Sequence, residues 1–253
     1  MIPTVLCIGG LDPSGGAGLS ADIKTATTFG VYGMNVVTAV TVQHPGAVSR
    51  VAPIPANIVG EQLSCLIDNM PIGAIKIGML CSTDIASTVT QIVSQAGIPI
   101  VIDPVTVSTS GTTLSDIKGE TFERLIAQAT VITPNSEEMI HCTGEQATGK
   151  WCIDNGVAIL HTGGHTDSDP IVDTLWLPNG THRRWSHPRV QTVHTHGSGC
   201  TISTAIAAGL AKGLDLVEAC AQAIQFTTQV INDSAKENLV DNNGPLLHFK
   251  WTE

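Results

Sequence analysis

The chain has 253 residues, of which 42% are hydrophobic and 13% charged, and its formal net charge is −10. This length and apolar content suit one large α/β domain, so residues 1–253 are expected to form a single domain. Only 12 residues are Lys or Arg, and no basic cluster extends beyond Arg183 and Arg184, which argues against nucleic acid as a partner. No uninterrupted apolar run approaches the roughly 18 residues of a membrane span, so a soluble protein with no membrane partner is expected.

The cysteines number seven, are widely spaced and contain no CxxC pair. An odd count without close pairs supports neither a disulfide framework nor a structural zinc ribbon. A reducing, cytoplasmic location fits this cysteine usage best.

Short β-rich apolar runs recur along the chain and predict strands, most of them buried on both faces. They cover residues 4–9, 35–42, 74–77, 98–103, 130–133, 157–160 and 172–177. Apolar residues at helical spacing predict helices over 59–70, 85–96, 202–210 and 216–231. The Gly-, Asp-, Pro- and His-rich stretch 161–190 predicts a hairpin of shorter strands. The alternation of strands and helices predicts a doubly wound, largely parallel sheet with helices on both faces.

In such a sheet, ligands bind beyond the carboxyl ends of the strands. The segments expected there are rich in glycine, amide and hydroxyl residues. They are GGLDPSGGAG (9–18), QHPG (43–46), GML (78–80), DPVTVSTSG (103–111), TPNSEE (133–138) and TGGHTD (162–167). A polar, backbone-lined cleft of this kind suits a small ligand with phosphates. The hydroxyl-rich residues 103–115 also predict a mobile flap over the substrate.

The segment GSGC stands where a loop enters a predicted helix. Unpaired N–H groups and the helix dipole favour an anion at such a point. Gly197 and Gly199 let the backbone approach a phosphoryl group closely, and Ser198 adds a donor. A helix N-terminus lowers the pKa of a thiol, so Cys200 is a candidate base for an alcohol that receives a phosphoryl group.

Other interpretations of these glycine-rich segments remain. In one of them, GSGC is only a tight connection into the helix, and Cys200 is a small buried residue that packs beneath this loop. His194, His196 and Cys200 form an HxHxxxC pattern, but this spacing matches none of the common metal sites. GAGLSA at residues 16–21 satisfies the G-x-G-x-x-A dinucleotide pattern. No Asp or Glu follows about 20 residues later to hold a ribose, so an NAD-dependent oxidoreductase is a weak alternative.

Eight short segments follow one another between residues 9 and 249. They are GGLDPSGGAGLSADIK, AVTVQ, KIGML, DPV, TPN, GGH, THGSGCT and GPLLHF. Together they resemble the hydroxymethylpyrimidine kinase and hydroxymethylpyrimidine-phosphate kinase family of thiamin biosynthesis, within the ribokinase superfamily. The resemblance implies a ribokinase-like fold, a homodimer and MgATP as phosphoryl donor. The acceptor it implies is 4-amino-5-hydroxymethyl-2-methylpyrimidine, and then its monophosphate.

The resemblance also implies which residues surround the small-molecule substrate. Gln43 would hold the aminopyrimidine edge, because a side-chain amide offers both a donor and an acceptor. Gly10, Met79 and Val107 would surround the ring, and Asp22 would support the first loop.

A second group of residues is implied for the nucleotide and the metal ion. Thr133, Asn135 and Thr162 would lie near ATP. Asp103 and Glu138 would organise Mg²⁺ and its waters, since hard oxygen ligands suit this ion. Either acid could instead cap a turn.

The chain departs from the family at two positions. Thr109 and Thr162 stand where members usually carry lysines, so developing negative charge would depend more on Mg²⁺ and the anion hole. In this branch a cysteine, here Cys200, replaces the aspartate base of the wider superfamily. A pyridoxal kinase is the nearest alternative function, because pyridoxal presents a similar ring and hydroxymethyl group. A pyrimidine-binding protein without activity is a third.

Overall fold

The computed structural model describes residues 1–105, 117, 119–165, 168–237 and 239–250. Within these ranges, nine strands form a single sheet in the order β3-β2-β1-β4-β5-β6-β7-β8-β9. The strands are β1 (Thr4–Leu11), β2 (Tyr32–His44), β3 (Ala47–Pro53), β4 (Ala74–Ile77), β5 (Ile100–Ile102), β6 (Val131–Ile132), β7 (Ala158–His161), β8 (Ile171–Trp176) and β9 (His182–His187). The helices are α1 (Gly18–Thr28), α2 (Ala56–Asn69), α3 (Thr83–Val93), α4 (Glu120–Ile126), α5 (Ser136–Thr143), α6 (Thr148–Asn155), α7 (Ser198–Ala211) and α8 (Leu216–Lys236). Short 3₁₀ helices cover Gly163–His165 and His248–Lys250.

The centre of the sheet is parallel, as predicted. Strand β1 pairs in parallel with β2 and β4, and the parallel pairing continues through β5, β6 and β7. Strands β3, β8 and β9 are antiparallel to their neighbours at the two edges. The carboxyl ends of the parallel strands therefore meet at one edge, where a ligand cleft is expected.

The central apolar runs form strands because they are covered on both faces. In β1, Leu6 and Ile8 pack into a core with α2 to α6, whereas Val5 and Cys7 face a second core made with α1, α7 and α8. Alternate side chains of a strand point to opposite faces, so a continuous apolar run fills two cores at once. Helix α7 lies between the sheet and α8, and its small residues Ala205, Ala207 and Ala208 are fully buried.

Strand β3 and helices α1, α4, α5 and α6 lie outside the ranges predicted from apolar patterns. Strand β3 is an edge strand with mostly exposed side chains, so it carries no apolar run. Helices α4 and α6 have 7 and 8 residues, too few to establish a helical apolar stripe. The hairpin predicted within 161–190 is confirmed as the antiparallel pair β8 and β9.

Two observations bear on the environment of the chain. In the described ranges, no helix combines the length and the apolar composition needed to cross a membrane. All seven cysteines lie in these ranges and are free.

The flap predicted at 103–115 falls almost entirely outside the described residues, as do Val107 and Thr109.

Gly18 and Gly30 both have positive φ, 53° and 67°, but they differ in their surroundings. A Cβ at Gly18 would lie 2.3 Å from the carbonyl oxygen of Gly10, whereas a Cβ at Gly30 meets nothing within 4 Å. Gly30→Ala is expected to lower the free energy of unfolding by about 1 kcal/mol through backbone strain alone. Gly18→Ala adds the steric overlap and should cost about 3 kcal/mol or more. Urea unfolding of both variants checks this, and equal losses would contradict it.

Candidate active site

A cleft of about 730 Å³ opens at the carboxyl ends of the parallel strands. Every predicted site residue that the structure describes lines it. These residues are Gly10, Asp22, Gln43, Met79, Asp103, Thr133, Asn135, Glu138, Thr162, Gly197, Ser198, Gly199 and Cys200. The fold thus brings together residues that are far apart in the chain, while Val107 lies outside the described residues.

The floor of the cleft holds a buried ion pair. Lys76, on β4, is 1% exposed, and its Nζ lies 3.0 Å from both carboxylate oxygens of Asp22 on α1. The Thr204 hydroxyl on α7 donates to Asp22 Oδ1 at 2.7 Å. Burial lowers the pKa of Lys76, but the Asp22 carboxylate outweighs this and holds that pKa above its ordinary value. A permanent ammonium therefore lies beneath the cleft, tying β4 to α1 and α7.

The loop between β1 and α1 is held by Asp12, not by Asp22. Asp12 Oδ1 accepts from the Ser14 N–H, and Oδ2 accepts from the Ser14 hydroxyl and the Ala17 N–H, at 2.8 to 2.9 Å. Asp22, which the resemblance placed in support of this loop, bonds to Lys76 and Thr204 instead. Because Asp22 faces the core from the second turn of α1, it supports the floor of the cleft rather than the loop.

A histidine joins the first loop to the loop before α7. His196 Nε2 lies 2.9 Å from Asp12 Oδ2 and 3.5 Å from Gln43 Nε2. Both His196 and Asp12 are buried. Burial raises the pKa of Asp12, but hydrogen bonds from His196 and Ser14 outweigh it and leave this pKa below its ordinary value. An ionised Asp12 thus fixes His196 beside the Gln43 amide.

The ring side of the cleft is narrow. A Cβ at Gly10 would lie 2.7 Å from Met79 Cε, so the Met79 side chain covers this glycine. Gln43 is half-buried, and its Oε1 accepts from the Thr41 hydroxyl at 3.1 Å. Gly10 and Met79 therefore form one wall of this side of the cleft, against which a flat ring stacks, with an amide at its edge.

Helix α7 points its N-terminus into the cleft. Gly197, at its N-cap, has φ of 88°, and a Cβ there would lie 1.9 Å from the carbonyl oxygen of Gly16. The Ser198 N–H donates to Thr195 O, and Thr201 makes the first intrahelical bond, to Gly197 O. The N–H groups of Gly199 and Cys200 lie in sequence between these two donors. They belong to the first turn of the helix, whose N–H groups have no partner within the helix. They are the donors best placed for an anion.

The expected lowering of the Cys200 pKa is wrong. Burial raises the pKa of this thiol to about 12, and the carboxylates of Asp22 and Asp103 act in the same direction. The Lys76 ammonium and the Gly18 N–H favour the thiolate but do not outweigh burial. The helix N-terminus is thus a weaker influence here than desolvation, and the thiol is neutral in the free cleft.

Asp103 lies at the same end of α7. A Cβ on Gly199 would be 3.7 Å from Asp103 Oδ2, and the Ser203 hydroxyl lies 3.5 Å from the same oxygen. Burial raises the pKa of Asp103 to about 6, although the Lys76 ammonium lowers it. This carboxylate is therefore ionised near neutral pH and more basic than an exposed one.

Residues after β6 form the opposite wall. The Asn135 side chain accepts from the N–H groups of Glu137 and Glu138, and Glu138 Oε2 accepts from the Asn135 N–H, at 2.9 to 3.0 Å. This capping box shows that Glu138 caps the start of α5 while it also lines the cleft.

Two threonines lie on the same wall. The buried Thr133 hydroxyl, among the described residues, has no hydrogen-bond partner. The Thr162 N–H donates to Pro134 O.

His194, His196 and Cys200, the residues of the HxHxxxC pattern, do not come together as metal ligands. His194 Nδ1 accepts from the Gly244 N–H at 3.0 Å, and His196 is bonded to Asp12. In the part of the chain that the structure describes, no three His, Cys, Asp or Glu side chains cluster as metal ligands. A pair of carboxylates such as Asp103 and Glu138 still suits Mg²⁺, which keeps several waters and binds largely through substrate phosphates.

Sequence reasoning gave no role to Lys76 or Asp12, and it considered His196 only as a metal ligand. A lysine inside a four-residue buried strand was the available signal for Lys76. The contact between Asp12 and His196 spans 184 positions, so no local pattern points to it.

Comparisons with known proteins agree with this geometry. Residues 12–246 match the family described as phosphomethylpyrimidine kinase. A hydroxymethylpyrimidine/phosphomethylpyrimidine kinase of Rhizobium meliloti (strain 1021) is 35% identical over 264 residues, covering 99% of each chain. Pyridoxal kinase from Staphylococcus aureus in complex with ADP superposes with a TM-score of 0.87 at 28% identity, over 100% of this chain and 96% of that one. Phosphomethylpyrimidine kinase from Clostridium difficile 630 superposes with a TM-score of 0.76 at 33% identity, over 91% and 100%. The predicted ribokinase-like fold is confirmed.

The ion pair beneath the cleft gives a stability prediction. Lys76→Met leaves Asp22 buried without its counter-charge and should lower the free energy of unfolding by about 3–5 kcal/mol. The double variant Lys76→Met with Asp22→Leu removes both charges and should recover most of that loss. Urea unfolding of the two variants measures the difference. A single variant as stable as the parent would show that the pair does not stabilise the floor.

Proposed function

Because the chain belongs to the phosphomethylpyrimidine kinase family, we propose that it phosphorylates 4-amino-5-hydroxymethyl-2-methylpyrimidine with ATP, and then the resulting monophosphate, in thiamin biosynthesis. The observation that carries this proposal is the single cleft that joins a ring-sized slot to a helix N-terminus. Gln43 lies on the slot side and the amides of Gly199 and Cys200 lie at the helix. Two successive phosphorylations need such a continuous site, because both use the same arm of the ring.

In this proposal the ring binds against the wall formed by Gly10 and Met79. The Gln43 amide accepts from the exocyclic amine and donates to the neighbouring ring nitrogen. His196 and Asp12 are positioning residues, because their hydrogen bond holds the histidine 3.5 Å from the Gln43 amide. The 5-hydroxymethyl group then points towards α7.

The transfer step needs an acceptor for the alcohol proton and donors for the phosphoryl oxygens. The alcohol oxygen attacks the γ-phosphorus, the bond to the bridging oxygen of ADP breaks, and the alcohol proton goes to the Cys200 thiolate, which has lost its own proton to solvent before this step. The amides of Gly199 and Cys200 donate to the phosphoryl oxygens. Thr133 and Asn135 line the nucleotide side of the cleft, with Thr162 beside them.

Mg²⁺ would be held by Asp103 and Glu138 through its waters, and when bound it neutralises the phosphate charge. A base role for Cys200 requires that bound ligands lower its thiol pKa from about 12. Asp103, with its pKa near 6, is the second candidate for the proton acceptor. The homodimer and the cytoplasmic location remain predictions; the seven free cysteines support the reducing compartment.

Pyridoxal kinase is the second candidate function. The superposition on the pyridoxal kinase of Staphylococcus aureus favours it, although the sequence identity to that chain is lower than to the R. meliloti kinase. A pyrimidine-binding protein without activity is the third.

A coupled assay of ADP release with MgATP separates the three. We expect ADP release with both alcohols tested and a higher kcat/KM for the aminopyrimidine than for pyridoxal. A higher value for pyridoxal would reverse the ranking of the two kinases. Binding of the aminopyrimidine by calorimetry without any ADP release would leave only the binding protein.

Variants of Cys200 test its role as the proton acceptor. Cys200→Ala should lower kcat and kcat/KM together by about 10²- to 10⁴-fold, with ligand binding retained. Cys200→Asp should keep part of the activity, because a carboxylate also accepts a proton. Cys152→Ala, at a buried cysteine that does not line the cleft, is the matched control and should affect stability rather than turnover. A Cys200→Ala variant with parental kcat would assign the proton to Asp103.

A further inference from the structure

The cleft is lined by many more acidic than basic side chains. Among its described lining residues are six carboxylic acids and one lysine. The acids are Asp12, Asp22, Asp103, Glu137, Glu138 and Asp173, and the lysine is Lys76. Lys76 is already paired with Asp22. A nucleotide brings further negative charge. Any other cation that faces the cleft therefore has a large effect on the affinity of the protein for the nucleotide.

The hairpin at the nucleotide end supplies such a group. His187, the last residue of β9, lines the cleft together with Thr162, Gly164 and Asp173. Its Nε2 lies 3.0 Å from Asp173 Oδ2. The other oxygen of Asp173 accepts from the Gly163 N–H at 2.8 Å. One buried carboxylate therefore fixes both the imidazole ring and the backbone that follows Thr162.

We propose that His187 is a nucleotide-positioning cation, which is held by Asp173 in its protonated form and offsets the charge of the nucleotide phosphates next to the uncharged Thr162. This inference rests on the proposed function, because it names a further residue of the same nucleotide site. It assigns the charge to the β8–β9 hairpin.

The surroundings of the ring favour its charged form. The hydrogen bond to Asp173 raises the pKa of His187 above the ordinary value of 6.5, and it outweighs burial, which lowers it. Arg189 opposes protonation, but its side chain is directed to the carbonyl oxygens of Ser168 and Gly164. Loss of the proton changes the net charge of the His187–Asp173 pair from zero to −1, which repels an anion.

Two further titratable groups face Asp173 from the neighbouring elements. His161, on β7, lies beside the Ser136 hydroxyl, and burial lowers its pKa, so this ring is neutral when His187 is charged. Cys220, on α8, is buried, and burial raises its thiol pKa, so it also stays neutral. Above pH 6.5, the change in charge at this end of the cleft is therefore mainly the loss of the His187 proton.

The test is the affinity for MgADP between pH 6.5 and pH 9, measured by calorimetry on the full chain. The parent should bind about tenfold more weakly at the upper pH, since an unscreened charge near a phosphate is worth at least one factor of ten. His187→Gln keeps a donor to Asp173 but has no titrating charge. It should bind MgADP about tenfold more weakly than the parent at pH 6.5, and with little dependence on pH. The titration of the ADP phosphates is common to both proteins and cancels in the comparison.

Two further variants serve as controls. His182→Gln changes an exposed histidine on the same strand, outside the cleft, and should keep the parental pH dependence. His187→Lys keeps a charge throughout this pH range and should bind tightly up to pH 9; its thermal unfolding shows whether the hairpin is intact. Equal pH dependence in the parent and His187→Gln would overturn the inference even if the parent is an active kinase. A parent that binds no MgADP at any pH would overturn the proposed function together with it.

Discussion

The buried pair of Lys76 and Asp22 is the interaction on which the rest of the cleft depends. Each ion has lost its water, and only the mutual attraction at 3.0 Å and the Thr204 hydroxyl offset that cost. The pair therefore requires β4, α1 and α7 to meet in one arrangement. The same ammonium lowers the pKa values of Asp103 and Cys200, which burial raises. One strand residue thus sets both the geometry and the electrostatic field of the site.

Above this floor, the N-termini of α1 and α7 are held against each other by backbone contact and by one buried hydrogen bond. A Cβ on Gly197 would overlap the carbonyl oxygen of Gly16, a Cβ on Gly16 would overlap the His196 ring, and Asp12 bonds to His196 across the same junction. The closing segment adds a brace, because the Gly244 N–H donates to His194 and the His196 N–H donates to Gly244 O. The anion hole is therefore rigid before any ligand arrives, which lowers the entropic cost of binding.

The two ends of the cleft differ in how they handle charge. At the ring end, hydrogen-bond donors stabilise the ionised Asp12, which holds His196 beside the Gln43 amide. At the nucleotide end, Asp173 positions a histidine whose own charge faces the cleft. The acids Asp12 and Asp173 thus act mainly through the groups they hold.

The sequence by itself determined the parallel sheet, the helices with long apolar stripes and the set of loops at the carboxyl edge, because hydrophobic periodicity and glycine-rich turns are local properties of the chain. Tertiary structure alone decided which polar side chains meet: Asp12 with His196, Lys76 with Asp22, and Asp173 with His187. It also decided the pKa of Cys200. The helix N-terminus that favours a thiolate is visible in the sequence, but the burial that outweighs it is created by elements packed from elsewhere in the chain. Desolvation depends on the whole surroundings of a group and not on its neighbours in sequence, which is why it appears only in the folded protein.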